Sequence, residues 1–293
     1  MSEDLLRAAV ALHDRFTHSG MDRRRFMAEM TRIAGGAAAA ATLLTAVAAQ
    51  ASAQPQIAAD DSRLRIRNLQ FEPRPGRQYL AYNAAPRNGA DLPIVIVIHE
   101  NRGLNEHIRD VARRLALAGY SAVAPDFLSP AGGTPADEDR ARTMIGELDM
   151  AETVADGAAM ISWLASSEGG SRKIGIIGFC WGGAMVNRLA VAAGGTLDAA
   201  VSFYGPAPSG AEAPRVQAPL LIHLAERDER VNTTALPWIV ALRNAGRSVR
   251  AINYHGVDHA FHNDTSAARY DAQAAARAWS ATLAFFDQHL RGA

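Results

Sequence analysis

The sequence predicts an α/β fold, a mostly parallel central sheet with helices on both faces, and three observations carry that expectation. From residue 63 onward, short apolar runs alternate with longer stretches whose apolar residues recur at helical spacing, the pattern of strands joined by crossover helices. Residues 93–99 are almost continuous Ile and Val, as in a strand covered on both faces. The chain has 293 residues, 48% of them hydrophobic, enough to bury one substantial core, and α/β chains of this length commonly form a single domain.

Residues 1–53 stand apart as a leader, and residues 54–293 carry the alternation. Within the leader, Arg23-Arg24-Arg25-Phe26 precedes an apolar Ala/Gly/Leu run over 33–49 and a small-residue site, Ala51-Ser52-Ala53, after which cleavage is expected. Consecutive arginines, a phenylalanine and a weakly hydrophobic, glycine-containing run resemble a twin-arginine export signal, which carries folded proteins across the bacterial inner membrane. Asp22 stands where that pattern has Ser or Thr, and some twenty residues precede it, so either the leader is long or translation starts at Met21. The resemblance implies the export machinery as a partner and a periplasmic or secreted protein, cytoplasmic if the leader is retained. The apolar run is shorter than the roughly 20 residues a membrane span needs, so no stable anchor is expected after cleavage.

Residues 63–71 and 78–83 read as amphipathic strands, and 93–99 as the buried one. Residues 105–118 repeat apolar side chains at helical spacing, with Gly119 as the stop. Further strands are expected at 121–126, 173–179, 197–204, 219–225 and 249–254, and helices at 137–165, 182–193, 233–245 and 267–289. The Pro/Gly-rich stretch 129–135 is expected to be a loop beside the functional site.

Thirty basic and thirty acidic residues cancel, and removal of residues 1–53 leaves 24 basic and 25 acidic groups. Such a chain has no global field to gather nucleic acid or an anionic membrane, and a small-molecule partner is favoured. Lys173 is the single lysine, which argues against Schiff-base chemistry and a phosphate-binding loop lysine. Cys180 is the single cysteine, so an intrachain disulfide is excluded and the thiol is there for packing or for chemistry.

Its neighbours favour chemistry. Gly178-Phe179-Cys180-Trp181-Gly182-Gly183 follows the apolar run 174–177 and opens a helix, the strand, sharp turn and helix of a nucleophile elbow with Cys in place of Ser. So tight a turn leaves no room for side chains two residues before and after the nucleophile, hence the glycines. A helix N-terminus also favours the thiolate. An elbow needs a carboxylate and then a histidine later in the chain. Asp228, in Ala225-Glu226-Arg227-Asp228, and His259, in Gly256-Val257-Asp258-His259-Ala260-Phe261, each follow a strand, where ligands bind in open α/β sheets. Glu226 and Asp258 compete for the acid role, and His255 and His262 for the base. The three histidines lack a confirming ligand pattern for a metal, and neither metal nor cofactor is expected.

These residues resemble the dienelactone hydrolase (carboxymethylenebutenolidase) family of the α/β-hydrolase superfamily, through His99-Glu100-Asn101-Arg102-Gly103-Leu104, the elbow, Asp228 and His259-Ala260-Phe261, over roughly residues 63–290. The resemblance implies a single-domain α/β-hydrolase fold, a Cys180, Asp228 and His259 triad, and a Glu100 that keeps the thiol unreactive until substrate displaces it. A bland alternative for Glu100 is a loop pairing with Arg102 or Arg109. The backbone N–H groups of Trp181 and Asn101 match the oxyanion hole, and Arg142 aligns with an arginine that binds the substrate carboxylate. The family also carries an arginine downstream of the histidine where this chain has Asn263, so a bidentate clamp loses one arm and a different lactone or an ordinary ester is expected. Phe261, with Phe127, Trp181, Phe203 and Tyr204, is a candidate lining of an apolar pocket.

The expected activity is hydrolysis of a lactone or ester through a thioester intermediate. Its rivals are a general carboxylesterase or thioesterase of the same fold, and an exported binding or redox-sensing protein with a reactive thiol. The expected assembly is a monomer or a small homo-oligomer.

Overall fold

The computed structural model describes residues 3–18, 21–48, 55–166, 172–266 and 268–292. The N-terminal residues fold into three helices, α1 (Glu3–His18), α2 (Arg23–Ala34) and α3 (Ala37–Ala48). Asp22 has extended backbone, and its carboxylate accepts the Arg25 N–H at 2.9 Å, so the residue preceding the arginines is a helix cap, a role Asp, Ser and Thr share. Gly35, left-handed at φ 77°, ends α2 and divides the predicted apolar run. The helices bury Leu12, Phe26, Met30 and Leu43 against one another, and Phe16 stacks on Phe26 at 4.3 Å. Among the described residues no helix is long and apolar enough to cross a membrane. The Ala51-Ser52-Ala53 site lies outside the described residues.

The sheet begins with β1 (Leu64–Arg74) and β2 (Arg77–Pro86), an antiparallel hairpin. It continues through β3 (Ile94–Ile98), β4 (Ser121–Pro125), β5 (Ile174–Phe179), β6 (Ala199–Phe203), β7 (Leu220–Ala225) and β8 (Val249–Tyr254). Among the described residues these eight strands follow the order β1-β2-β4-β3-β5-β6-β7-β8. β2 meets β4 antiparallel, and every pair from β4 to β8 is parallel. The unbroken Ile/Val run of β3 has a physical reason, because Ile94, Ile96 and Ile98 pack on one face while Val95 and Val97 pack on the other. Successive side chains of a strand point to opposite faces, so a strand covered on both sides is apolar at every position.

One face is covered by α4 (Glu106–Leu117) and α9 (Ala272–Phe286), the other by α6 (Met150–Ser166), α7 (Trp181–Ala192) and α8 (Glu229–Asn244). Each large apolar side chain so buried contributes roughly 1.5–3 kcal/mol. The single helix predicted over 137–165 is two, α5 (Glu138–Gly146) and α6, because Asp149 accepts the Glu152 N–H at 2.9 Å and starts a new helix. α9 begins five residues later than expected, where Asp271 caps it through the Ala274 N–H at 2.8 Å. α8 begins four residues earlier, because Asp228 is its cap. The predicted 129–135 loop holds a 3-10 turn, Ser129–Ala131, and its Thr134 braces the segment after β3. The Thr134 hydroxyl accepts the Leu104 N–H at 2.9 Å and donates to Asp126 at 2.8 Å.

Candidate active site

The segments that follow β3, β5, β6, β7 and β8 converge at the C-terminal edge of the parallel strands, where such sheets bind ligands. Cys180 stands between β5 and α7 at φ 55° and ψ −112°, a conformation that costs a non-glycine residue of order 1–3 kcal/mol. The turn explains its glycines. A Cβ on Gly178 would lie 2.2 Å from the Gly182 carbonyl oxygen, and one on Gly182 would lie 2.3 Å from that of Ile98. The strained residue is pinned on both sides: its N–H donates to Phe203 O at 3.0 Å and its carbonyl accepts the Ala184 N–H at 3.0 Å. Tyr204 (φ 38°) and Ala260 (φ 64°) are also left-handed, so three strained positions surround one point.

Asp228 and His259 are joined in this space. His259 Nδ1 lies 2.5 Å from Asp228 Oδ2, both side chains buried, while Asp228 Oδ1 accepts the Val231 N–H at 3.2 Å. The helix cap thus fixes the carboxylate, and the carboxylate orients the imidazole. Arg230 Nη2 stands 3.4 Å from the same ring nitrogen, and the Tyr204 ring meets the imidazole edge-on at 5.0 Å. The competing residues are placed elsewhere. Glu226 accepts from His255 at 2.8 Å and from the Gly256 N–H at 2.7 Å, and these two bonds, the backbone one foremost, hold its carboxyl below the ordinary value. Asp258 pairs with Arg227 at 3.6 Å. His262 is buried and stacks on Phe179 at 5.2 Å, and burial foremost, with the charges of His107 and Arg114, pushes its pKa well down. Among the described residues no group of three or more His, Cys, Asp or Glu side chains is placed to hold a metal ion.

Glu100 is buried at the end of β3. Asn263 Nδ2 donates to its Oε2 at 2.6 Å, while Asn263 Oδ1 accepts from the Thr265 N–H at 3.0 Å and hydroxyl at 2.6 Å. The Tyr204 hydroxyl faces the same carboxylate. Burial foremost, with the neighbouring Glu100 and Cys180 groups, raises this phenol well above its ordinary value. His99 braces the loop from beneath: its Nδ1 lies 2.7 Å from the Glu100 carbonyl and its Nε2 accepts the Phe127 N–H at 3.2 Å. Burial lowers the His99 pKa, which keeps the ring neutral and able to do both.

Cys180, His259, Glu100, Asn101 and Asn263 line one cavity of about 710 Å³. Its outer wall carries Arg102, Arg140, Arg142 and Arg269. Arg102 pairs with Glu138, and Arg142 with Asp139 at 3.6 Å. Arg142 is thus brought to the cavity. Trp181 stacks on His99 at 5.2 Å with the rings 11° apart. Phe261 is not on the cavity wall: it is fully buried, 4.9 Å from the Tyr254 ring and 5.6 Å from that of Tyr204. Phe127, Phe203 and Tyr204 are also core. Sequence reasoning placed Tyr204 only in a candidate pocket lining and His99 only in a motif, and gave no role to Arg269. Tyr204 was marked by its position at a strand end, whereas Arg269 lies ten residues beyond the histidine in a loop with no recognisable spacing.

The sequence matches the dienelactone hydrolase family over residues 79–290. It is 34% identical over 229 residues to "Protein usf" of Aquifex pyrophilus, covering 76% of this chain and 98% of that protein. It is 33% identical over 233 residues to the "Putative carboxymethylenebutenolidase" of Escherichia coli K12, covering 74% and 85%. The crystal structure of the "Putative Dienelactone Hydrolase" of Klebsiella pneumoniae superposes with a TM-score of 0.68 at 32% identity, covering 77% of this chain and 99% of that one. With the fold, the elbow and these relatives in agreement, the chain belongs to the dienelactone hydrolase family and is a hydrolase of α/β fold.

Proposed function

We propose that the protein hydrolyses a lactone or carboxylic ester through Cys180, His259 and Asp228, by way of a covalent thioester. The observation that carries this reading is the 2.5 Å His259–Asp228 pair opening onto the same cavity as a cysteine held in elbow geometry. His259 takes the Cys180 thiol proton, the resulting thiolate attacks the carbonyl carbon, and the negative charge that forms on the carbonyl oxygen is held by the backbone N–H groups of Trp181 and Asn101. The C–O bond to the leaving group breaks as His259 protonates the departing oxygen. Water, deprotonated by His259, then attacks the thioester, the C–S bond breaks to release the acid, and His259 returns the proton to the Cys180 sulfur. Asp228 holds the imidazole in the tautomer this requires and steadies the imidazolium. Glu100, held by Asn263, keeps the resting thiol protonated until a bound substrate moves it.

A second reading, a general carboxylesterase or thioesterase on the same machinery, is favoured by Asn263. Its neutral amide is already engaged with Glu100 and Thr265 and offers no ionic grip on a substrate carboxylate. A panel of cis- and trans-dienelactone, p-nitrophenyl acetate and an acyl thioester, run on the protein and its Cys180→Ala variant, separates the two. Lactone turnover supports the first reading, ester or thioester turnover alone the second, and equal inactivity of both proteins on every substrate refutes both.

Export and cleavage after Ala53 are part of the same proposal, supported by Arg23-Arg24-Arg25-Phe26 and the small residues 51–53. N-terminal sequencing of the periplasmic protein is expected to begin at Gln54, and recovery only of uncleaved cytoplasmic chain would contradict it.

A further inference from the structure

The cavity above Cys180 is not closed by the catalytic body alone. His13 and Phe16 of α1, Met27 of α2 and Leu44 of α3 line it together with Cys180 and His259. These three helices form a lobe with its own interior, in which Leu12 and Met30 are fully buried and Phe26 and Leu43 nearly so. The lobe is seated on the body by the Phe16 ring, over which the Arg142 guanidinium carbon lies at 4.6 Å, and by Ala268, which packs against the lobe interior. A cation over an aromatic face attracts it without locking it. The lobe therefore sets Phe16, Met27 and Leu44, with His13 and Arg23, in the same cavity as Arg102, Arg140, Arg142 and Cys180.

We infer that the α1–α3 lobe is a lid over Cys180, restricting the size of molecule that reaches the thiol while the N-terminal segment remains attached. On this account the uncleaved chain is the size-selective form, and release or displacement of the segment opens the cavity. The inference concerns access and not turnover, so it stands or falls separately from the proposed hydrolysis.

The single cysteine makes the test direct. The full-length protein is alkylated with iodoacetamide and, separately, with a polymer-bearing maleimide too large for the cavity, with Cys180→Ala as the labelling control. Met30→Asp and Leu43→Asp place a charge in the lobe interior without touching the cavity, and Phe16→Ala widens the wall by removing the Arg142 contact together with the stack on Phe26. The expected result is that the large reagent gains about tenfold or more in rate in the lobe variants, with iodoacetamide changing less than about threefold, a ratio that follows from a steric gate and not from altered thiol reactivity. An unchanged ratio in all three variants overturns the lid.

Discussion

Asn263 and Glu100 are joined by a 2.6 Å hydrogen bond from the side-chain amide to the buried carboxylate, on the wall of the cavity that holds Cys180. The asparagine stands where the resemblance led to the expectation of an arginine, and its amide is turned to the protein's own glutamate. Asn263→Ala leaves Glu100 Oε2 without this donor in a buried site. A loss of about 1–3 kcal/mol of stability is expected, with a larger loss for Asn263→Asp, which sets two carboxylates together. Urea denaturation measures both, and unchanged midpoints would show that the bond contributes nothing.

Asp228 separates activity from stability. It caps α8 through Val231 and holds His259, and Asn caps a helix nearly as well as Asp but cannot hold the imidazole in the same tautomer. Asp228→Asn is therefore expected to lower kcat by about 10³–10⁴-fold while shifting stability by less than about 1 kcal/mol. A variant with near-normal turnover would remove Asp228 from the mechanism.

Gly182 tests the elbow. Its missing side chain leaves room for the Ile98 and His99 carbonyl oxygens, at 2.3 Å and 2.6 Å from where a Cβ would stand. Backbone cannot retreat as the end of a flexible side chain does, so Gly182→Ala is expected to cost about 3 kcal/mol or more, read as a lowered Tm or insoluble protein. Normal stability would contradict the packing described.

His223 gives the fold an acid sensitivity. It is fully buried between the Tyr254 and Thr282 hydroxyls, each 3.0 Å away, and burial foremost pushes its pKa from 6.5 down to about 3. Between those values the unfolded chain binds a proton that the native imidazole refuses. Its contribution is thus complete above pH 6.5 and is lost as the pH falls, at up to about 1.4 kcal/mol per pH unit. His99 and His262 are depressed in the same direction. The urea midpoint is expected to fall from about pH 7.5 to about pH 5, and less steeply in His223→Gln, which does not titrate. Parallel profiles for the two proteins would contradict this.

What could be read from the sequence was local. The elbow was legible because glycines at fixed distances from Cys180 report a backbone crossing within a few residues, and β3 because a strand covered on both faces leaves no polar positions. Asp228 and His259 could be narrowed to a few neighbours, but their separation from Glu226, Asp258, His255 and His262 depends on which strand ends face one another, a long-range property. Phe261 was misleading because an aromatic beside a catalytic segment serves a core as readily as a pocket. The placement of α1–α3 over the cavity was invisible, since helical amphipathicity shows that a face is buried and not what it is buried against.

The central claim, that Cys180 forms the acyl intermediate, is tested most directly by intact mass and peptide mapping of an acid-quenched reaction with p-nitrophenyl acetate. The account predicts a single acetyl group on Cys180, absent from Cys180→Ala, whose hydrolysis rate falls by about 10³-fold or more. An acetyl group on another residue, or turnover retained by Cys180→Ala, would contradict it.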